Sequence, residues 1–344
     1  MLTIARRKRI GIDLGTTNTL VYVEGKGVIF NEPSVVAIER ESEKILAIGS
    51  QAREMIGKTP DSITAIKPME DGVIADYDIV ESTLKFYIRQ IYGRWIFFPP
   101  YLMICIPTGG TSVERRAVKN AAIRAGCKRV FLIEEPKAAA IGANLDISKP
   151  QGNMIIDIGG GTTDIAVLSL GEIVMGESLR TGGNKMDSTI MRYMRKSYNL
   201  AVGEITAEYI KQQIGYAILP PKNKHLEVKG RDLATGLPKK IEIGAEEISK
   251  ALSEPLGTIV DGVRRVLEKT LPELAADIIN NGIVLTGGGS LLKNFDRLIE
   301  KNTGISTYLA DDPLSCVAIG TGRALKSTDL LQKTTDQLTC RATW

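Results

Sequence analysis

Histidine is almost missing from this chain: His225 is the only one in 344 residues. Histidine-based metal sites and Ser-His or Cys-His triads are thereby all but excluded. His225 itself stands in a polar stretch near Lys222 and Lys224 and reads as a solvated loop residue. Cysteine is sparse as well. Cys105, Cys127, Cys316 and Cys340 are scattered without a CxxC pair, so there is neither a disulfide framework nor a zinc spacing. Cys105, inside an apolar strand pattern, reads as a small buried hydrophobe. Neither sign of charge dominates: 44 basic against 40 acidic residues leave a net charge of +4. That balance permits contact with an acidic membrane surface but does not argue for nucleic acid. No apolar run is long enough to span a bilayer, which takes about 20 residues; the longest, near Trp95 to Pro107, is broken by Pro99 and Pro100. The basic start Arg6, Arg7, Lys8, Arg9 runs straight into a strand pattern, with no export signal. These absences predict a cytoplasmic protein, peripheral to a membrane at most.

What the chain does have is length for two domains and 34 glycines gathered into a few runs. Clustered glycine marks places where backbone must come close to a ligand. Residues 9–13 and 19–24 alternate like two strands around Gly-Thr-Thr-Asn, and residues 154–157 and 164–168 do so around Gly159-Gly160-Gly161-Thr162-Thr163. Ile-Asp-Leu-Gly-Thr-Thr-Asn (12–18) matches Ile-Asp-Ile-Gly-Gly-Gly-Thr-Thr-Asp (156–164) once two glycines are inserted. An echo half a chain apart predicts two related domains facing each other, not a short-period solenoid.

Between the hairpins strand and helix alternate. Tyr101–Ile106 reads as a strand, 112–125 as a helix capped by Ser112 and stopped by Gly126, 129–133 as a strand, and Pro136 as a helix opening. Beyond them 186–198, 206–218 and Ala245–Lys269 look helical, the last with a possible break at Pro255 and Gly257. A short strand at 282–285 leads to Gly287-Gly288-Gly289-Ser290 and a further helix to about Asn302. The polar segments 33–68 and 182–244 read as small peripheral subdomains, and residues after about Lys326 as a weakly packed tail.

A triphosphate needs close backbone N–H donors, hydroxyls, and carboxylates that hold magnesium through water. Both turns carry that set: glycine removes the Cβ that would keep the backbone away, while Thr16, Thr17, Asn18, Thr162 and Thr163 add side-chain donors. Asp13 and Asp157 end strands just before the turns, as magnesium carboxylates would; the plainer reading is that each Asp only starts its turn. No P-loop is present, and no Gly-x-Gly-x-x-Gly opens a helix after a strand. Glu134 and Glu135 stand where a strand gives way to a helix. There a carboxylate can orient water for attack on a phosphate, or merely complement the helix N-terminus. Gly287–Ser290 could line a nucleotide or be a tight turn. Glu208 and Lys211, at i and i+3, share a helix face and by themselves read as an exposed ion pair.

Asp13-Leu-Gly-Thr-Thr-Asn18 resembles the first phosphate motif of the superfamily of actin, DnaK-type chaperones and sugar kinases. Asp157-Ile-Gly-Gly-Gly-Thr-Thr-Asp164 resembles the second, and Thr286-Gly-Gly-Gly-Ser290 the adenosine motif. Four more segments sharpen the resemblance to the MreB/Mbl family: Asn31-Glu-Pro-Ser-Val-Val36, Lys67-Pro-Met-Glu-Asp-Gly-Val-Ile-Ala-Asp76, Glu134-Glu-Pro-Lys-Ala-Ala-Ala140 and Ala234-Thr-Gly-Leu-Pro238. The resemblance implies an α/β fold of two related actin-like (ribonuclease H-like) domains around a nucleotide cleft, each with a small peripheral subdomain. The implied division is 1–32, 67–145 and 315–344 for the first domain with 33–66 as its subdomain. It gives 146–181 and 246–314 to the second, with 182–245 as its subdomain. The implied ligands are ATP and Mg2+, with Glu135 catalytic and Asp13 and Asp157 holding the metal through water. Nucleotide-binding residues would be Asp13, Gly15, Thr16, Thr17, Asn18, Gly159, Gly160, Gly161, Thr162, Asp164, Glu208, Tyr209, Ile210, Lys211, Gly287, Gly288, Gly289 and Ser290. Thr17 and Lys137 depart from the usual family pattern.

Trp95-Ile-Phe-Phe98 concentrates aromatics in a chain with only 5% of them. By resemblance Trp95, Ile96, Phe97 and Phe98 form a loop that inserts into the bilayer; by composition alone they could be core. The resemblance further implies self-assembly into paired protofilaments, a place at the inner face of the cell membrane, and partners in cell-wall synthesis and cell shape. A DnaK-type chaperone would need a substrate-binding domain after the cleft domains, and a sugar kinase would need a sugar pocket and a base. Neither is visible in the sequence. A membrane scaffold without ATP turnover is the remaining alternative.

Overall fold

The computed structural model describes residues 8–70, 72–93 and 98–326. The chain forms two compact units: one holds the residues up to Gln151, Leu168–Val174 and those from Leu314 on, the other Gly152–Val167 and Met175–Pro313.

The first unit is built on the strands β1 (Arg9–Leu14), β2 (Asn18–Val23), β3 (Gly27–Pro33), β4 (Tyr101–Ile106) and β5 (Arg129–Glu134). Their order in the sheet is β5-β4-β1-β2-β3. β1 pairs antiparallel with β2, Asp13 opposite Leu20, and parallel with β4, which is parallel to β5. Parallel neighbours need a crossover, and the Ser112–Arg124 helix supplies it between β4 and β5. The strands read as apolar runs because both faces are covered: Ile10, Ile12, Val21, Leu102 and Ile104 are fully buried. So are Leu84 and Ile88 of the Tyr77–Tyr92 helix, which packs into the same core and went unread in the sequence. The Cys316–Lys326 helix lies so close to the Glu135–Gly142 helix that a Cβ on Gly142 would sit 1.8 Å from the Cys316 carbonyl, and one on Gly320 1.8 Å from that of Ala138.

The second sheet repeats this plan with β6 (Asn153–Ile158), β7 (Thr163–Ser169), β8 (Glu172–Leu179), β9 (Ile283–Thr286) and β10 (Thr307–Leu309). Its order is β8-β7-β6-β9-β10. Asp157 therefore occupies in β6 the place that Asp13 has in β1. The echo between the two motifs is an echo of topology. Two smaller sheets lie within the polar segments: Val36–Glu39 between Ile45–Ile48 and Ile63–Ile66, and Leu200–Ala201, His225–Asp232 and Pro238–Gly244.

Several local expectations need correction. The cap of the Ser112–Arg124 helix is Thr111, whose hydroxyl accepts from the Glu114 amide while Glu114 accepts from the Thr111 amide; the reciprocal box outweighs a lone Ser112. Pro255 does not break the Ala245–Lys269 helix, because the long face carrying Leu252, Leu256 and Ile259 is buried throughout and outweighs one lost hydrogen bond. The helix expected at 206–218 is Glu204–Ile214. At Gly215, where it stops, a Cβ would lie 2.2 Å from the Lys211 carbonyl. His225 is exposed but opens a strand, paired with Gly244, instead of lying in a loop. After Gly287 comes a 3-10 turn, Gly288–Leu291, before the Phe295–Thr303 helix.

Trp95, Ile96 and Phe97, the residues Arg6 and Arg7 and the tail beyond Lys326 lie outside the described residues. Phe98 is exposed. Among the described residues no helix is long and apolar enough to cross a membrane.

Candidate functional site

The first glycine turn joins β1 to β2. A Cβ on Gly15 would come within 2.7 Å of the Asn18 carbonyl, so the turn closes only without one. The segment after β3 holds the turn from outside. The Ser34 hydroxyl donates to the Gly15 carbonyl at 2.6 Å and the Ser34 amide to that of Thr17 at 2.8 Å. Asn18 donates to the Asn31 side chain at 2.8 Å. Thr16 is buried, its hydroxyl accepting from the Gly72 amide at 3.2 Å.

Asp13 ends β1 half-buried, but its carboxyl is desolvated enough for burial to push its pKa to about 6, against the pull of the Cys105 thiol, which donates to Oδ1 at 3.1 Å. Cys105 is thus more than the small hydrophobe expected of it. Its own pKa is driven up by burial and by the negative charges of Asp13 and Glu135. Asp13, Cys105 and Glu134–Glu135 stand at the carboxyl ends of β1, β4 and β5, the edge where α/β sheets bind ligands. Glu134 is tied to Arg115 at 3.0 Å. Glu135 begins the Glu135–Gly142 helix beside Pro136.

The second turn joins β6 to β7 and is held from three sides. The Gly159 amide closes it by donating to the Thr162 carbonyl at 2.9 Å. The Thr163 hydroxyl donates to the Thr181 carbonyl at 2.6 Å, and Thr162, Thr163 and Asp164 are all buried. At the start of the Gly183–Tyr198 helix, the amides of Gly183 and Asn184 donate to the carbonyls of Gly159 and Gly160 at 3.0 and 2.8 Å. The Thr286 hydroxyl donates to Asp157 Oδ1 at 3.1 Å. Gly287 takes φ +81°, and a Cβ there would meet the Ile158 carbonyl at 2.3 Å and Asp157 Oδ1 at 2.6 Å. Ser290 closes its own turn by donating to the Gly287 carbonyl at 2.6 Å. The second and third glycine motifs, distant in sequence, are therefore one assembly.

The Glu204–Ile214 helix is less uniform than its motif. Tyr209 is half exposed, and Ile210 is fully buried in the core, leaving only its backbone for a ligand. Glu208 accepts from Gln212 at 3.3 Å. Lys211 is largely buried instead of exposed, and its ammonium lies 2.8 Å from Asp187 and donates to the Gly183 carbonyl at 3.0 Å. From the sequence a helix is expected only from 186, with no part for the Thr181–Asp187 segment in the second turn; the helix starts at Gly183. Its visible signal was the Gly182-Gly183 pair ahead of an amphipathic helix.

Two sheets of one strand order, each carrying an aspartate one residue before the end of its central strand and ahead of a glycine turn, define an actin-like protein. The chain belongs to the MreB/Mbl family, whose family description, MreB/Mbl protein, matches residues 7–333. It is 50% identical to the cell shape-determining protein Mbl of Bacillus cereus over 94% of this chain and 97% of that one. To the cell shape-determining protein MreB of Escherichia coli it is 48% identical over 93% and 94%. Among solved structures, MreB5 of Spiroplasma citri bound to ADP superposes with a TM-score of 0.90 at 40% identity, covering 94% of this chain and 98% of that chain.

Proposed function

We propose that this chain binds Mg·ATP, hydrolyses it, and polymerises into paired protofilaments at the inner face of the cell membrane, where it organises cell-wall synthesis and maintains rod shape. The observation that carries the reading is the equivalent position of Asp13 and Asp157 before glycine turns in two sheets of the same order. It is supported by the relative from Spiroplasma citri, solved with ADP and, at 41% identity, with AMPPNP. Domain borders follow the four-part division inferred from the resemblance.

Each turn would offer N–H groups and hydroxyls to phosphate oxygens, each bond to a charged oxygen contributing about 1.5–3 kcal/mol. Among the described residues no group of three or more metal-ligating side chains stands together. Magnesium keeps its waters and borrows phosphate oxygens, so it would need few protein carboxylates here. Asp13 fits it too, being a desolvated carboxyl near the end of β1 whose pKa burial raises to about 6. Asp13 and Asp157 would hold the ion through water, and its charge would neutralise that building on the phosphates. Glu135, at the carboxyl edge of the first sheet, would orient and polarise the attacking water.

Glu135→Ala should retain ATP binding and lose nearly all phosphate release; unchanged turnover would remove Glu135 from the mechanism. The rivals, a DnaK-like or sugar-kinase-like ATPase without polymerisation, are separated by adding peptide or sugars. Turnover with ATP alone, together with filaments on lipid by electron microscopy, supports the filament reading, whereas a strictly monomeric protein contradicts it.

A further inference from the structure

A path of polar contacts joins the Glu204–Ile214 helix to the second glycine turn, and no sequence motif contains it. Lys211 and Asp187 are both largely buried, with side chains 15% and 12% exposed. The ammonium lies 2.8 Å from Asp187 Oδ1, donates to Oδ2 at 2.9 Å and to the Gly183 carbonyl at 3.0 Å. Burial pushes the Asp187 carboxyl upward and Lys211 pulls it down, while Glu208 and Glu204 add to the upward push. A pair so desolvated leaves a buried charge behind if either partner is removed.

Gly183 and Asp187 belong to the first turns of one helix. The amides at that helix start, from Gly183 and Asn184, donate to the carbonyls of Gly159 and Gly160. A peptide unit is planar and trans, so its C=O and N–H point in opposite directions. Drawing the Gly159 and Gly160 carbonyls toward the helix turns the Gly160 and Gly161 N–H groups away from it, as donors for an anion. The contact has no slack: a Cβ on Gly182 would lie 2.6 Å from the Gly159 carbonyl, and one on Gly183 3.3 Å from the Lys211 ammonium.

We propose that the Lys211–Asp187 pair is a positioning device that aims the Gly160 and Gly161 amides, so that Lys211 acts on the nucleotide's phosphates through the start of the Gly183–Tyr198 helix. This rests on the nucleotide-binding reading above. The pair makes Lys211 and Asp187 one unit, and removing either should misalign the same two donors.

The test uses the full chain, with Lys211→Met, Asp187→Asn and the double variant titrated with Mg·ADP, Mg·ATP and adenosine by calorimetry. Each single change should weaken both nucleotides about tenfold and the double change no further, since coupled residues are not additive. In Asp187→Asn adenosine affinity should stay within about twofold, and Lys211→Arg should lose far less than Lys211→Met, because a guanidinium fork can also bridge carboxylate and carbonyl. If Lys211→Met weakened adenosine as much as ADP while Asp187→Asn changed nothing, Lys211 would be a direct ligand and the proposal overturned. Hydrogen exchange on the nucleotide-free protein keeps the test independent of the functional reading. Gly183 and Asn184 amides should exchange faster in Asp187→Asn, and unchanged protection would sink the device even if wild type bound no nucleotide. Should Lys211→Met fail to fold, Asp187→Glu, which keeps the charge on a longer arm, must still separate nucleotides from adenosine; equal loss of both would refute the proposal.

Discussion

Asp13 ends a central strand with its carboxyl out of water and a thiol as donor, and burial lifts its pKa from 3.8 to about 6. A folded value above the unfolded one means that the neutral form is preferred in the folded protein. The stability this contributes is complete below about pH 4 and lost as pH rises through 6. Without nucleotide and magnesium, Asp13→Asn should therefore be more stable than wild type at pH 7. The gain is up to about 3 kcal/mol from a shift of roughly two units, and it should vanish near pH 4. Urea melts at both pH values measure it, and a constant difference would refute the assignment. The same substitution should abolish magnesium-dependent nucleotide binding. Asp13 was legible as a strand-end carboxylate in the sequence. Its thiol partner was not, because Cys105 reaches it only once β4 pairs with β1.

At the scale of elements, small residues decide how closely the Cys316–Lys326 helix approaches the Glu135–Gly142 helix. Gly→Ala inside a helix ordinarily stabilises by about 1 kcal/mol. Gly142→Ala and Gly320→Ala should do the reverse, costing about 1–3 kcal/mol or more by overpacking, since each new Cβ would fall 1.8 Å from a carbonyl oxygen. Chemical denaturation of both variants checks this, and a neutral result would mean that the helices can part freely. The helix after β4 offers a sharper contrast. Thr111→Ala should cost about 1 kcal/mol through its lost capping box, whereas Ser112→Ala should be near neutral; equal costs would favour the Ser112 cap. Strands and helices with clear apolar periods were readable. The Tyr77–Tyr92 helix and the His225–Asp232 and Pro238–Gly244 hairpin were not. That hairpin alternates charged residues with few apolar ones, so its pairing is set by neighbours rather than by its own pattern.

For the whole molecule, the proposed membrane contact rests on a short aromatic stretch. Changing Trp95 and Phe97 together to Ser should abolish co-sedimentation with anionic liposomes and leave the melting temperature unchanged, because each inserted ring contributes at most about 1.5–3 kcal/mol and a filament multiplies weak anchors. A collapse of folding instead would make those residues core. The sequence alone determined the family, the two-sheet plan and the three glycine turns: a turn that must lack Cβ atoms writes its requirement in consecutive residues. Tertiary structure alone decided that Thr286 and Gly287 pack on Asp157 and that Lys211 answers to Asp187. It also decided that Ser34 and Asn31 brace the first turn. Those partners are brought together by strand order and helix docking, and no local pattern records a contact between residues that only folding makes neighbours.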